Sequence, residues 1–577
     1  MPDNTSNRNH PPRGGKPFGD KKPGGRPQGG RGFGDRPRGD KPRGARPQGE
    51  RSFGNKPRGE RPQGERSFGD KPRGDRPQGK RPFGDKPRGD RPQGARSFSD
   101  RPRGERSQGN RPFGDRPRGE RPRSDRPAPA RRPDAVSPAR AAAFKAIQDV
   151  LNNEAYTAMA VDRQLSQTTM SSLDRALCTA LTYGTLENLL AIDHILSFYM
   201  EDLSTVEPRV KCILRMAVCQ KNWMDRIPDN AIADESVRLT RSIGLEDLTG
   251  FVNGVVRSFL RGDKEVTWPE DPLERLALEN SMPLWLAQKL AEHYGEDTAK
   301  AMLTYRPARR GMVLRPNMTQ LTDEQFQKLL EKKVWNVTPG RVPHAWYADG
   351  VMQLSRDRDY QAGAFSVQGE ASMVCAALAG ARSGMQVLDC CAAPGGKTAY
   401  MAETMQGTGR VYALDVHPHR VALLEAAVRR LKLDNVRPQL YDATRYKEDW
   451  EERFDICLLD APCTGLGEWH EKPDIRYGIT PESLASLTET QKTLLENCAK
   501  YVKRGGALVY ATCSILPEEN EMQLRAFLER HPEYTLEPLP EDVAALYPNA
   551  RHECGLQLLP GPDGDEGFFM ARLRRQG

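Results

Sequence analysis

The sequence predicts an α/β protein whose carboxy-terminal part is a doubly wound, Rossmann-like sheet, preceded by an all-helical domain and a small α/β module. Three observations carry this. From about residue 346 apolar strand-like runs alternate with helix-like runs, as in "MQVLDCC", "KTAYMAETM" and "GRVYALDV". Carboxylates recur where those runs end, at Asp389, Asp415, Asp442 and Asp460, and open parallel sheets keep their ligand sites at the carboxyl ends of strands. Residues 134–264 show only helical spacing.

The first 133 residues have a different character. They hold 37 Lys+Arg against 16 Asp+Glu, a balance of +21 in a chain whose net charge is +9, so the remainder stands at −12. The unit is a pentad, basic–Pro–x–Gly–polar, as in "RPRGD KPRGA RPQGE". Phe53, Phe68, Phe83, Phe98 and Phe113 recur at a fixed step. Pro and Gly in nearly every pentad bar helix and strand, and the apolar residues of a stacked repeat are missing, so a disordered arm is expected. Dispersed Arg and Lys with spaced rings suit single-stranded RNA; a merely solubilising tail is the alternative.

Residues 134–264 carry "LENLLAIDHILSFYM", where Leu186, Leu189, Leu190, Ile192, Leu196 and Tyr199 share one broad apolar face. Cys178, Cys212 and Cys219 fall in such segments as small buried hydrophobes. Residues 265–345 are mixed. "PLWLAQKLAEHYG" reads as a helix ended by Gly295, "GMVLRPN" as a strand, and "LTDEQFQKLLEKK" as a helix capped by Thr322. Arg306, Arg309 and Arg310 are placed to meet phosphate or simply to line a solvated loop.

In residues 346–577 the strands "MQVLDCC", "GRVYALDV", "RPQLYDA", "FDICLLDA" and "GALVYATCS" alternate with helices at 397–405, 417–433 and 481–504, and "GFFMARLRR" closes the sheet. The 11 cysteines form no Cys-x-x-Cys pair and no Cys/His ligand set, so no metal site is expected. An odd number of thiols, no apolar leader and no run of ~18 apolar residues predict a cytoplasmic protein with neither membrane span nor disulfides. A monomer is expected.

"DCCAAPGGKTAY" is a strand–glycine loop–helix junction whose amides would receive a polar ligand. A phosphate-binding G-x-x-x-x-G-K-[ST] loop needs glycine where Cys391 stands, which argues against an NTPase. S-adenosylmethionine fits better. The turn Cys391, Ala392, Ala393, Pro394, Gly395, Gly396, Lys397 would admit its amino-acid end, Asp415, about twenty residues on, would meet the ribose, and Asp442 the adenine.

"CAAPGGKT", "LLDAPCTGLG" and "YATCSILPEENE" together resemble the Nol/Nop/Sun family of RNA cytosine-5 methyltransferases. "LTYGTLENLL" and "FVNGVVRSFL" are similar to the NusB-like domain of its bacterial RsmB (Sun/Fmu) branch, and "AFSVQGEASM" resembles the lead-in to the first catalytic motif. The resemblance runs from about residue 135 to the end and leaves the arm outside. It implies a class I S-adenosylmethionine methyltransferase fold and methylation of carbon 5 of a cytidine in small-subunit (16S) ribosomal RNA. Transfer RNA, large-subunit RNA, or a non-catalytic role in ribosome assembly are the alternatives.

Such chemistry needs a thiolate to add to carbon 6 of the base and a carboxylate to hold the pyrimidine edge. Asp460 is the candidate carboxylate, and it is also expected among the residues that line the cofactor site. Two thiols compete for the attack. Cys513 precedes a helix expected to open at Pro517, which would lower its pKa; Cys463 lies in a glycine-rich loop. These arguments leave the choice close. The resemblance implies that Cys513 forms the covalent bond and Cys463 assists product release.

Overall fold

A computed structural model describes residues 135–577 except 154, 308–310, 352 and 565. The arm therefore lies outside the described residues, as do Arg309 and Arg310. No described helix is long and apolar enough to cross a membrane.

From Pro138 to Arg261 the chain is helical: Pro138–Asn153, Thr157–Gln167, Ser172–Glu187, Leu189–Ser197, Pro208–Asn222, Asp229–Ser242 and Thr249–Arg261. Ala139, Ala142, Ala143, Ala146 and Ile147 give the first helix a buried face of small residues, which packs with Cys178, Leu181, Cys212 and Ile213. The apolar face expected to run unbroken through 186–200 belongs to two helices. Asn188 separates them, at φ −117°. Its amide donates to Gly184 O at 2.8 Å, satisfying a helix-end carbonyl that would otherwise lack a partner.

Three further helices, Pro272–Glu279, Leu284–Tyr294 and Glu296–Thr304, follow. Asp271 caps the first by accepting from Glu274 N at 2.8 Å, and Gly295 ends the second at φ +84°. Their apolar faces join Leu466, Trp469, Leu484, Ile515 and Leu516 in one core. Those partners come from segments that follow two strands of the main sheet, so these helices brace loops of the site.

A small antiparallel sheet comprises β1 (Met312–Pro316), β2 (Asn336–Pro339), β3 (Trp346–Asp349) and β4 (Phe365–Val367), in the order β2-β3-β1-β4. Thr322 caps helix Asp323–Leu330 in a capping box with Gln325. The last two strands of this sheet, β3 and β4, lie beyond residue 345, so the module runs past the boundary expected there.

The main sheet contains β5 (Gln386–Asp389), β6 (Arg410–Asp415), β7 (Val436–Leu440), β8 (Phe454–Asp460), β9 (Val502–Thr512), β10 (Tyr534–Leu536), β11 (Arg551–His552), β12 (Gly555–Leu558) and β13 (Phe568–Arg575). Its order is β11-β12-β13-β9-β8-β5-β6-β7, with β10 also on β13. Strands β5 to β9 pair in parallel and β13 runs antiparallel to β9. The order reverses between β5 and β8, and at such a switch point the strand ends open a crevice. Helices Glu370–Ala379, Gly396–Thr404, Pro418–Leu431 and Pro481–Tyr501 connect the strands. Apolar cores line both faces.

Candidate active site

Strand β5 ends at Asp389, whose side chain is 1% exposed. Its Oδ2 accepts from Thr398 Oγ1 at 2.6 Å. Its Oδ1 has no hydrogen-bond partner among the described residues. Burial pushes this carboxyl up to about 7, aided by the Asp460 charge.

The chain then turns through Cys391–Gly395 into helix Gly396–Thr404. Gly395 stands at φ +109°, a backbone conformation that favours glycine, and a Cβ there would have to displace the end of the Leu424 side chain, whose Cδ1 would lie 2.6 Å away. Ala392 N donates to Leu414 O at 2.7 Å, tying the loop to β6. Arg420 donates to Ala393 O at 2.8 Å and lies 3.4 Å from Asp415 Oδ2. This arginine went unnoticed in the sequence, yet it links the glycine loop to the carboxylate ending β6. Asp415 is buried and accepts from His417 N at 2.9 Å.

Asp442 lies two residues past the end of β7 and not within the strand, because that ladder stops at Leu440. It accepts from Thr444 Oγ1 at 2.6 Å, which holds its carboxyl below the usual range.

Lys397, at the start of the helix that follows the turn, points inward. Its Nζ donates to Asp460 Oδ2 at 2.7 Å and lies 5.1 Å from the centre of the Phe568 ring. Burial opposes its charge, but Asp460, joined by the nearby Cys375 and Cys513 thiols, raises its pKa overall. Asp460 ends β8; Pro462, with no N–H for the ladder, follows as the chain leaves the sheet.

Cys463 and Cys513, fifty residues apart, meet with their Sγ atoms 3.4 Å apart, both half-buried. The Cys513 thiol is not lowered as a helix terminus would lower it. The helix after it starts at Glu521 rather than Pro517, because the chain from Pro517 to Asn520 forms a turn. Contact with Cys463, then burial, then the charges of Glu468 and Asp460 push Cys513 well above its usual range.

Several residues that sequence reasoning passed over weld the two cysteine loops together. Gly467 N donates to Cys513 O at 2.9 Å and Gly567 N to Gly467 O at 2.8 Å. Thr464, Ser514 and Gln491 converge on the buried Glu519. Glu519 stands inside the quoted motif "YATCSILPEENE", the one signal that could have drawn attention to it.

The helical parts reach the same loops. Asp474 accepts from Thr157 Oγ1 at 2.5 Å, Tyr477 OH donates to Leu186 O at 2.7 Å, and Tyr294 OH donates to Ile515 O at 2.8 Å. His470, unassigned from sequence, accepts from Trp469 Nε1 at 2.8 Å and faces the Tyr305 ring. Cys390 and Cys498 are buried in the core with their sulfurs 2.9 Å apart. No cluster fit for a metal ion occurs among the described residues.

The crevice fits the expected nucleoside cofactor. It offers a glycine turn for close approach, an unsatisfied buried acceptor at Asp389, and carboxylates at the ends of adjacent strands.

A family model described as 16S rRNA methyltransferase RsmB/F matches residues 376–574, and one described as the NusB family matches residues 137–261. The chain is 34% identical over 447 residues to the probable ribosomal RNA small subunit methyltransferase B of Bacillus subtilis (strain 168), covering 75% of this chain and 98% of that one. It is 32% identical over 444 residues to the ribosomal RNA small subunit methyltransferase B of Yersinia pseudotuberculosis serotype O:1b (strain IP 31758), covering 75% and 98%. Among solved structures, that of PH0851 superposes with a TM-score of 0.67 at 26% identity, covering 76% of this chain and 99% of that chain.

Proposed function

This chain belongs to the RsmB/F family of 16S ribosomal RNA methyltransferases, and on that premise we propose that it methylates carbon 5 of a cytidine in small-subunit ribosomal RNA, with Cys513 as the attacking thiol. The coarser activity, S-adenosylmethionine-dependent methylation of ribosomal RNA, comes with the family. The observation that carries the finer reading is the 3.4 Å approach of two thiols beside the Lys397–Asp460 pair.

The residues divide the work. The turn Cys391–Lys397 would hold the amino-acid end of S-adenosylmethionine, Asp415 its ribose hydroxyls and Asp442 its adenine. When bound, that cofactor supplies an electrophilic methyl group. Carbon 5 of cytosine is a weak nucleophile, and the Cys513 sulfur makes it a strong one by bonding to carbon 6. Asp460 holds the pyrimidine edge, and Lys397 holds Asp460. Once carbon 5 carries the methyl group, a base takes its proton, the freed electron pair restores the double bond between carbons 5 and 6 as the bond from Cys513 to carbon 6 breaks, and Cys463 assists that release. The target base must leave its stack to reach the sulfur.

Contact with Cys463 and burial favour the protonated form of the Cys513 thiol. Attack therefore requires that its proton leave as the base arrives.

The test is tritium release from 5-tritiated cytidine in ribosomal RNA. Cys513→Ala should abolish release. Cys463→Ala should accumulate a covalent protein–RNA adduct that the double variant lacks. Full release by Cys513→Ala would overturn the assignment. Bisulfite sequencing with and without the gene identifies the target, and modified sites confined to transfer RNA or large-subunit RNA would replace the substrate named here.

A further inference from the structure

We propose that Glu519 is the positioning residue that sets Cys463 and Cys513 in register, so that both thiols address one base. The inference deepens the two-thiol reading above and rests on it for its catalytic meaning.

Glu519 is fully buried. Its Oε1 accepts from Thr464 N at 2.8 Å and Gln491 Nε2 at 3.0 Å. Its Oε2 accepts from Thr464 Oγ1 at 2.5 Å and from the Ser514 hydroxyl. Four donors on two oxygens use up the capacity of a carboxylate. The identity of the donors is what matters. Thr464 directly follows Cys463, and Ser514 directly follows Cys513. One side chain thus grips the residue next to each thiol.

The grip is itself anchored. Gln491, from helix Pro481–Tyr501, also donates to Pro462 O at 3.0 Å, on the other side of Cys463. Tyr510 OH, from β9, donates to the Glu519 carbonyl at 2.6 Å. Asn520, next in the chain, accepts from Thr512 Oγ1 at 2.5 Å and donates to Ser514 O at 3.0 Å, bracketing Cys513 from both sides. Residues 462, 464, 512 and 514, which flank the two cysteines, are all held by this network. Side chains held by such a polar shell keep the sub-ångström placement that reaction geometry requires.

The network also predicts which substitution is tolerated. A glutamine at 519 can keep its carbonyl oxygen toward Thr464 N and Gln491. Its amide then faces the two hydroxyls, which can turn to accept. Aspartate is one methylene shorter and cannot span both loops. Alanine abandons all four donors.

The experiment uses the full chain and two readouts. The first is single-turnover methylation of ribosomal RNA. Glu519→Ala and Glu519→Asp should lower the maximal rate about 100-fold with KM for RNA changed less than about threefold, while Glu519→Gln stays within about threefold of wild type. The second needs no RNA. Diamide, a diazene oxidant, takes two electrons and two protons from a pair of thiols and becomes a hydrazine. The rate of Cys463–Cys513 disulfide formation, mapped by mass spectrometry, reports how well the sulfurs are held together. Wild type and Glu519→Gln should crosslink quickly, Glu519→Ala and Glu519→Asp slowly. If Glu519→Asp has a reduced melting temperature but crosslinks and turns over like wild type, Glu519 is only structural and the proposal is overturned. If Cys463→Ala accumulates no adduct, the covalent cycle falls, and the crosslinking rates alone decide the role of Glu519.

Discussion

Replacing Asp389 by asparagine should stabilise the protein, and more so at high pH. The carboxyl is buried against the end of β5 and its pKa moves from 3.8 to about 7. A carboxyl raised on folding binds its proton more tightly in the native state. Its contribution to stability is therefore fully present below about 3.8 and is lost as pH rises through about 7. Three pKa units correspond to about 4 kcal/mol between the limits. Between about pH 5.5 and about pH 8.5 the wild type should lose roughly 2 kcal/mol that the uncharged isostere does not. Asparagine preserves the shape and can still accept from Thr398. The assay is urea unfolding of both proteins without cofactor at the two pH values, reported as the difference between them, so that groups titrating alike cancel. A difference that does not change with pH, or an asparagine variant that loses ground as pH rises, would refute the argument that burial dominates this carboxyl.

Arg315 and Glu403, both fully buried, pair bidentately between the small sheet and helix Gly396–Thr404, with Arg315 Nη2 to Glu403 Oε1 at 3.0 Å. Arg315→Met should cost about 3–5 kcal/mol by stranding Glu403, and Arg315→Met with Glu403→Met should recover most of it, measured by chemical denaturation. Gly467→Ala places a Cβ 1.9 Å from Gly567 O; methylation should fall at least about tenfold while S-adenosylmethionine binding by calorimetry is unchanged, since the clash pushes the Cys463 loop off the segment before β13, strains its bond to Cys513 O and leaves the glycine turn untouched. Alkylation of Cys513 by iodoacetamide should be slow at neutral pH and rise steadily into the alkaline range, because the thiolate is the reactive form and its pKa is raised; peptide mapping of the alkylated protein measures it.

What could be read from the sequence was what depends on short range. Strand periodicity, the caps at Thr322 and Gly295, and the position of carboxylates at strand ends all follow from a few neighbouring residues, and the structure has them. The misreadings share a cause. The helix expected to open at Pro517 starts at Glu521. Buried hydrogen bonds that Glu519 accepts from Thr464 and that Asn520 donates to Gln557, both distant in sequence, hold that stretch as a turn instead. The break at Asn188 was hidden because apolar spacing carries across it, while the side-chain bond to Gly184 that ends the helix is a local competition that periodicity does not register. Arg420 looked like any surface cation of an amphipathic helix. Only the packing of that helix beside the glycine loop gives it two partners.

The meeting of the two thiols follows from register rather than from either motif. Strands β8 and β9 pair in parallel with Asp460 opposite Ala511. Cys463 lies three residues beyond the first and Cys513 two beyond the second, so each chain leaves the sheet at the same level and on adjacent strands. Parallel pairing brings the exits side by side; it does not specify how the loops beyond them run. That second requirement is met by groups without reactive chemistry of their own: a glycine that lets Gly567 approach, and a carboxylate that binds the residue after each cysteine. A motif search that looks for nucleophiles finds the sulfurs and overlooks the groups that hold them. In this fold the thiol pair is a product of sheet topology, and its spacing a product of the buried polar network behind it.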